Sequence, residues 1–256
     1  MDFWLEQLLL FVVALTANFF SALAGGGAGL LQLPALLFLG LPFALALATH
    51  KVASVFLGLG ATARHLRAAQ YDWRFAAYIL AAGVPGVVTG ALIILHIPDH
   101  IAQLALGILT LGLGLYSAFK PQLGLVSEPR HRDLPGMITG ALVLWLIGTL
   151  NGSLTSGTGL FVTLFLVRWF GLDYKTAVSY TLILVGIVWN GVGALALGVQ
   201  GAIRWDWLPA LIAGSLIGGY LGAHLSIVKG NRLVKRAFET MTILVGLALI
   251  GRGFQP

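Results

Sequence analysis

The sequence predicts an all-α polytopic membrane protein. It reads as two inverted-topology repeats of about five helical segments each, with short broken or re-entrant helices at glycine-rich breaks. Three observations predict this. First, 58% of the 256 residues are hydrophobic and 9% are charged. A soluble domain carries about 25% charged residues, so this chain cannot cover itself with polar surface. Second, the apolar residues form ten continuous runs rather than alternating, which argues against a β-barrel. Third, the second half repeats the plan of the first.

The first run, 3–24, is long enough to span a bilayer, which takes about 20 residues. Its start carries Asp2 and Glu6 and no lysine or arginine. It therefore lacks the positive region of a secretory leader and is read as retained. Gly25, Gly26, Gly27 and Gly29 then interrupt the apolar pattern. Glycine weakens a helix interior by about 1 kcal/mol relative to alanine, so the backbone is expected to leave the helix there. The next run, 28–40, is too short to cross alone. Runs 43–63, 75–96 and 100–119 complete the first repeat, residues 1–119. A hydrophilic linker, 120–134, leads to the second repeat, 135–256. There, run 135–152 ends in the break "NGSLTSGTG" (151–159), and the short run 157–170 follows it. Runs 175–199, 207–226 and 234–251 close the chain.

Ten alternating crossings put 64–74, 120–133, 168–175 and 229–236 on one side. Those loops hold twelve of the fifteen lysines and arginines. By the positive-inside rule that side is cytoplasmic. The expected location is the cell inner (cytoplasmic) membrane, multi-pass, with both termini outside. Tyr71, Trp73, Trp205 and Trp207, at segment starts, read as the aromatic belt. Lys235, Arg236 and Glu239 read as an anchor at the cytoplasmic end of the last helix. The repeat aligns 27–48 with 157–179, "YDW" (71–73) with "WDW" (205–207), and Gly86/Gly90 with Gly218/Gly222. Those glycine pairs read as close helix packing. Two five-segment halves insert in opposite orientations, an arrangement found in secondary transporters.

Irregular backbone is tolerated in a bilayer only where it is buried in protein or faces a wet cavity. A helix N-terminus presents unpaired N–H groups and about half a positive charge. Two such ends facing one cavity would bind an anion. The candidate substrate-binding residues are therefore Gly25, Gly26, Gly27 and Gly29 from the first break. Asn151, Ser153, Thr155, Ser156, Gly157 and Thr158 come from the second. His50 and Lys51 lie within the third run. Ionisable groups in a span usually face the bundle interior or a path. Lys51 would neutralise an anion, and His50 would donate a hydrogen bond or carry a coupling proton. Thr181 aligns with His50 and Tyr180 with Thr49, so the related place in the second half is polar but uncharged. Asn18, Gln32 and Asn190 read as interhelical hydrogen bonds.

At these breaks the sequence resembles the TauE/SafE family of sulfite and organosulfonate exporters. The likeness rests on "GGGAGLLQLPALLFLGLP", on "VASVFLGLGATARHLR" and on "GSLTSGTGLFVTLFL", and extends over about 8–251. It implies a duplicated helical fold and proton-driven export of small sulfur-containing anions such as sulfite or sulfoacetate. The second break lacks the triple glycine, with Thr155-Ser156-Gly157 instead.

Two rival readings remain at this level. One is an intramembrane hydrolase with Ser156 or Ser153 as nucleophile and His50 or His224 as base, although no G-x-S-x-G elbow is present. The other is an anion channel. The favoured reading is no enzyme, no cofactor and no metal. No G-x-x-x-x-G-K-[ST] loop for ATP is present. The expected partners are a small anion and the lipid bilayer, with a homodimer conceivable; no basic, aromatic-interleaved face suggests nucleic acid.

Overall fold

The computed structural model describes residues 3–65, 71–93, 99–154, 157–199 and 203–253. Every regular element among them is helical. Helices α1 (Phe3–Ala24), α2 (Gln32–Phe38), α3 (Phe43–His65), α4 (Trp73–Ile93) and α5 (Asp99–Ala118) form the first half. Helices α6 (Leu134–Ser153), α7 (Thr158–Arg168), α8 (Tyr174–Gly198), α9 (Leu208–Lys229) and α10 (Asn231–Gly253) form the second. Six of these, α1, α3, α4, α6, α8 and α9, have the length and apolarity to cross a membrane.

The two short helices follow the predicted breaks. With 7 and 11 residues, α2 and α7 extend only about 10 and 16 Å at ~1.5 Å per residue, against a hydrocarbon core of about 30 Å. At both breaks the chain turns back. Leu33, Leu36 and Leu41 cluster with Leu10 and Ala14 of α1, so α2 returns toward the start of α1. After α7, Trp169 Nε1 donates to the Gly136 carbonyl near the start of α6 (3.1 Å). Helix α7 is buried along nearly its whole length, as expected for a segment inside the bundle. Helix α2 differs, because Phe38 is 78% exposed and gives it an outer face.

The strongest packing pairs are α1 with α9, α4 with α6, and α5 with α10, followed by α3 with α9 and with α8. Exchanging first-half for second-half helices maps α1–α9 onto α6–α4 and leaves α5–α10 unchanged, a pattern consistent with a duplicated plan. Glycine rows explain why these pairs approach so closely. A Cβ added at Gly218 or Gly222 would lie 2.4 or 2.2 Å from the Leu15 or Phe19 carbonyl oxygen of α1. At Gly86 or Gly90 it would lie 2.1 or 1.9 Å from the Trp145 or Thr149 oxygen of α6. The packing reading of these aligned pairs holds. Aligned polar residues also do matching work. Thr49 Oγ1 accepts from Arg204 N (2.9 Å), just before Trp205-Asp206-Trp207. Tyr180 Oη accepts from Asp72 N (2.8 Å), within Tyr71-Asp72-Trp73.

The four cation-rich loops share one end of the bundle. Glu128 N donates to the Gly171 carbonyl, Tyr174 N to the Gly124 carbonyl, and Lys175 N to Asn231 Oδ1. Arg64 Nε meets His224 Nδ1 at 3.0 Å. Lys235 pairs with Glu239 and donates to the Ser117 carbonyl (2.7 Å), so the last helix is anchored there. Trp73 and Trp205 are exposed as belt residues should be. Trp207 is not; it is buried, with the Arg204 guanidinium 5.3 Å from its ring centre.

Candidate site at the two helix breaks

Three consecutive residues, Gly25, Gly26 and Gly27, have φ of 90°, 131° and 96°. An L side chain rarely adopts such values, so only glycine makes this exit from α1 without strain. Ala28–Leu30 then form one 3-10 turn before α2. In the second half, Gly157 (φ 74°) occupies the N-cap of α7. The two breaks touch. A Cβ on Gly26 would lie 2.6 Å from the Gly159 backbone. Thr163 Oγ1 of α7 donates to the Gly25 carbonyl (2.6 Å) and lies 2.9 Å from Thr181 Oγ1.

Between them is a small cavity. Gly26, Gly27, Ala28 and Gly29 line it from the first break, and Asn151, Thr158 and Gly159 from the second. His50, Ser54 and Leu57 close it from mid-length of α3, and Thr181, Leu182, Val185, Gly186 and Asn190 from mid-length of α8. About 30 Å³ is open to the centres of water molecules, room for two or three waters at ~10–15 Å³ each. The stretch of α8 facing it, Thr181–Trp189, is wound as a π-helix. Such windings are rare and gather at functional sites.

Of the predicted residues, Gly26, Gly27, Gly29, His50, Asn151 and Thr158 come together on this cavity. His50 Nε2 faces Ser54 Oγ (3.1 Å), while its Nδ1 and the Asn190 Oδ1 are buried without a hydrogen-bond partner among the described residues. Asn151 Nδ2 donates to Thr158 Oγ1 (2.9 Å). Lys51 does not line the cavity; it is fully buried behind it. Its Nζ donates to the Asn151 carbonyl (2.8 Å) and Oδ1 (3.2 Å). That carbonyl belongs to the last turn of α6, where acceptors are unpaired and the helix dipole is negative. No carboxylate pairs with Lys51 among the described residues. The ammonium is held by a helix end, and its stem passes Gly193, whose added Cβ would lie 3.0 Å from it.

The remaining predicted residues fall elsewhere. Gly25 is turned toward Thr163 and Val178. Gly157 caps α7 beside the cavity. Ser153 Oγ bonds back to the Thr149 carbonyl of its own helix (2.9 Å). Thr155 and Ser156 lie outside the described residues. The helix-end geometry also differs between the halves. The start of α7 borders the cavity, whereas α2 begins beyond it, and Gln32 faces Asn18 instead. In the first half the cavity meets the 3-10 turn, and Ser21 Oγ already accepts its Ala28 N–H (3.1 Å). Ser21 and Ser54 were not singled out from sequence. Their spacing offered a signal: Ser54 follows His50 by four residues on one helix face, and Ser21 lies one turn before the end of α1 at the glycine break. Asn18 makes the expected interhelical contacts, with Nδ2 at 2.9 Å from Ser215 Oγ and 3.1 Å from Gln32 Oε1. No cluster of three metal-ligating side chains occurs among the described residues.

Comparison with known proteins places this architecture. The family model "Sulfite exporter TauE/SafE" matches residues 10–249. A "Probable membrane transporter protein" of Haemophilus influenzae is 32% identical over 251 residues, covering 98% of this chain and 97% of that one. The "Probable membrane transporter protein ORF9" of a Sinorhizobium species is 29% identical, covering 96% and 93%. The "Probable membrane transporter protein YfcA" of Escherichia coli K12 is 27% identical, covering 94% and 88%. No solved structure matches the chain. With matches running nearly end to end through both breaks, this membrane protein belongs to the TauE/SafE sulfite exporter family of transporters.

Proposed function

We propose that the chain exports small sulfur-containing anions, sulfite, sulfoacetate or other organosulfonates, across the cytoplasmic membrane by proton-coupled alternating access. The observation that carries this reading is the cavity where both breaks meet, at mid-length of α3 and α8. It has a helix N-terminus on one wall and, behind it, a buried lysine with no carboxylate partner among the described residues. A negative ion entering there meets the positive end of α7 and the Thr158 hydroxyl. His50 Nδ1, without a hydrogen-bond partner among the described residues, is the group that donates to the anion and carries the coupling proton. The cavity's size suits a compact oxyanion better than a long sulfonate. Lys51 supplies the compensating charge from the second layer through Asn151. The concentration of cations at the loop end of the bundle supports a cytoplasmic face there, with both termini outside.

The test is flux in proteoliposomes. Wild type is expected to move sulfite saturably and to acidify or alkalinise the lumen in step. Lys51→Ala should insert normally and lose most of the flux; normal transport by that variant removes Lys51 from the mechanism. Thermal-shift screening against sulfite, sulfoacetate, taurine, sulfate, thiosulfate and carboxylates ranks the ligand class, because a ligand of the native state raises apparent stability.

A further inference from the structure

A second, larger cavity lies away from the helix breaks, at the basic end of the bundle. It measures about 680 Å³ and sits between the end of α5, the 120–130 linker and the end of α7. Three cations from these three places, Lys120, Arg130 and Arg168, line it together with one carboxylate, Glu128. Glu128 is taken up by Arg130 in an exposed ion pair. Arg168 donates Nε to Tyr116 Oη (2.7 Å), which fixes the guanidinium plane at the wall. Its Nη groups and the Lys120 Nζ have no protein partner among the described residues. Val126, Val167, Leu123 and Leu172 supply an apolar side to the same cavity.

The surface leading to this cavity has a particular shape. Ile108 and Leu115 on α5 are 55% and 41% exposed, and Phe119, the residue just after it, is 79% exposed. With Gly112 they stand at i, i+4, i+7 and i+11, one face of a helix. A Cβ on Gly112 would meet nothing within 4 Å. The face is therefore an apolar stripe with a notch in it, ending at Phe119 beside the cations.

We infer that this cavity and stripe bind an anionic phospholipid of the cytoplasmic leaflet. The headgroup phosphate sits between Lys120 and the Arg168 guanidinium, and an acyl chain lies along Ile108–Gly112–Leu115–Phe119. The charge complements a phosphate diester, for which the guanidinium fork is shaped. The notch accommodates hydrocarbon that a polar ligand would leave empty. The loop end is also where cation-rich segments meet anionic lipid.

The experiment uses the full chain in neutral detergent. It is titrated with phosphatidylglycerol, phosphatidylcholine or inorganic phosphate, and bound lipid is counted by native mass spectrometry. Phosphatidylglycerol is expected to bind several-fold tighter than phosphatidylcholine, with inorganic phosphate not competing. Lys120→Gln/Arg168→Gln should bind phosphatidylglycerol about 25-fold more weakly, taking about fivefold for each surface cation removed. The charge-preserving Lys120→Arg should bind as wild type. Gly112→Trp fills the notch without touching charge and should also weaken binding; it serves if the double variant does not fold. Equal binding of the two lipids overturns the proposal. So does full selectivity in the folded variants, displacement by inorganic phosphate alone, or a Gly112→Trp variant whose only loss is a lipid-independent dimer.

Discussion

Substitution of Gly159 by alanine puts two physical effects in opposition. Gly159 is the second residue of α7 and has helical backbone. Helix propensity alone favours alanine there by about 0.8–1.0 kcal/mol. An added Cβ, however, would lie 2.9 Å from Gly26 Cα in the opposite break. Ordinary van der Waals contact begins near 3.4 Å, so the breaks must part by about 0.5 Å. The atom in the way is backbone, held by neighbours at positive φ. Overpacking of this kind costs about 1–3 kcal/mol. The contact therefore wins, and Gly159→Ala should be destabilised by up to about 2 kcal/mol despite its better propensity. The reciprocal Gly26→Ala should be worse. Its Cβ meets Gly159 Cα and C at 2.6 Å and also imposes φ 131° on an L residue, adding about 1–3 kcal/mol of strain. Gly40→Ala separates the two costs. Gly40 has φ 91° and nothing within 4 Å of its Cβ, so only the strain is paid there. The assay is melting of the detergent-purified variants, with sulfite flux measured on each. The expected order of stability is wild type, then Gly40→Ala and Gly159→Ala, with Gly26→Ala last and without flux. A Gly159→Ala protein that melts higher than wild type and transports normally would refute the close approach of the two breaks.

Four further outcomes are expected. Gly193→Val should lower flux as Lys51→Ala does, because its side chain would occupy the path of the Lys51 stem; flux measured alongside melting separates this from misfolding. Gly90→Leu should abolish accumulation of folded protein in the membrane, since even a Cβ there would lie 1.9 Å from the Thr149 oxygen; size-exclusion chromatography checks it. Asn18→Leu, which strips partners from Gln32 and Ser215, should cost about 0.6–1.7 kcal/mol, the range for hydrogen bonds between membrane helices, read as a modest fall in melting temperature with flux retained. Asp173→Ala removes the side chain that accepts from Thr176 N at the start of α8 and should cost about 1 kcal/mol, again by melting.

Much of the fold was legible because its punctuation is chemical. Runs of glycine, paired glycines four apart and cation-rich loops each carry a physical cost or preference that shows in sequence. The breaks at Gly25 and Gly157, the helix-packing role of Gly86/Gly90 and Gly218/Gly222, and the shared end of the basic loops followed from that. What stayed hidden lacks such a mark. "TLILVGIVW" (181–189) is apolar throughout, so no periodicity separates a π from an α winding. The direction of Lys51 was equally silent. Sequence places it one residue after His50, on a different helix face, but not which neighbour its long stem would reach; Asn151 is a hundred residues away. The uneven helix starts have a local cause as well. Three glycines give the first half enough freedom to add a 3-10 turn before α2, whereas one capping glycine lets α7 begin at once.

The glycine rows join helices from opposite halves of the chain: α1 is seated on α9 and α4 on α6. Each half thus fills the other's backbone grooves. Expressed as separate polypeptides, the two pieces should accumulate only when made together, like subunits of an obligate heterodimer.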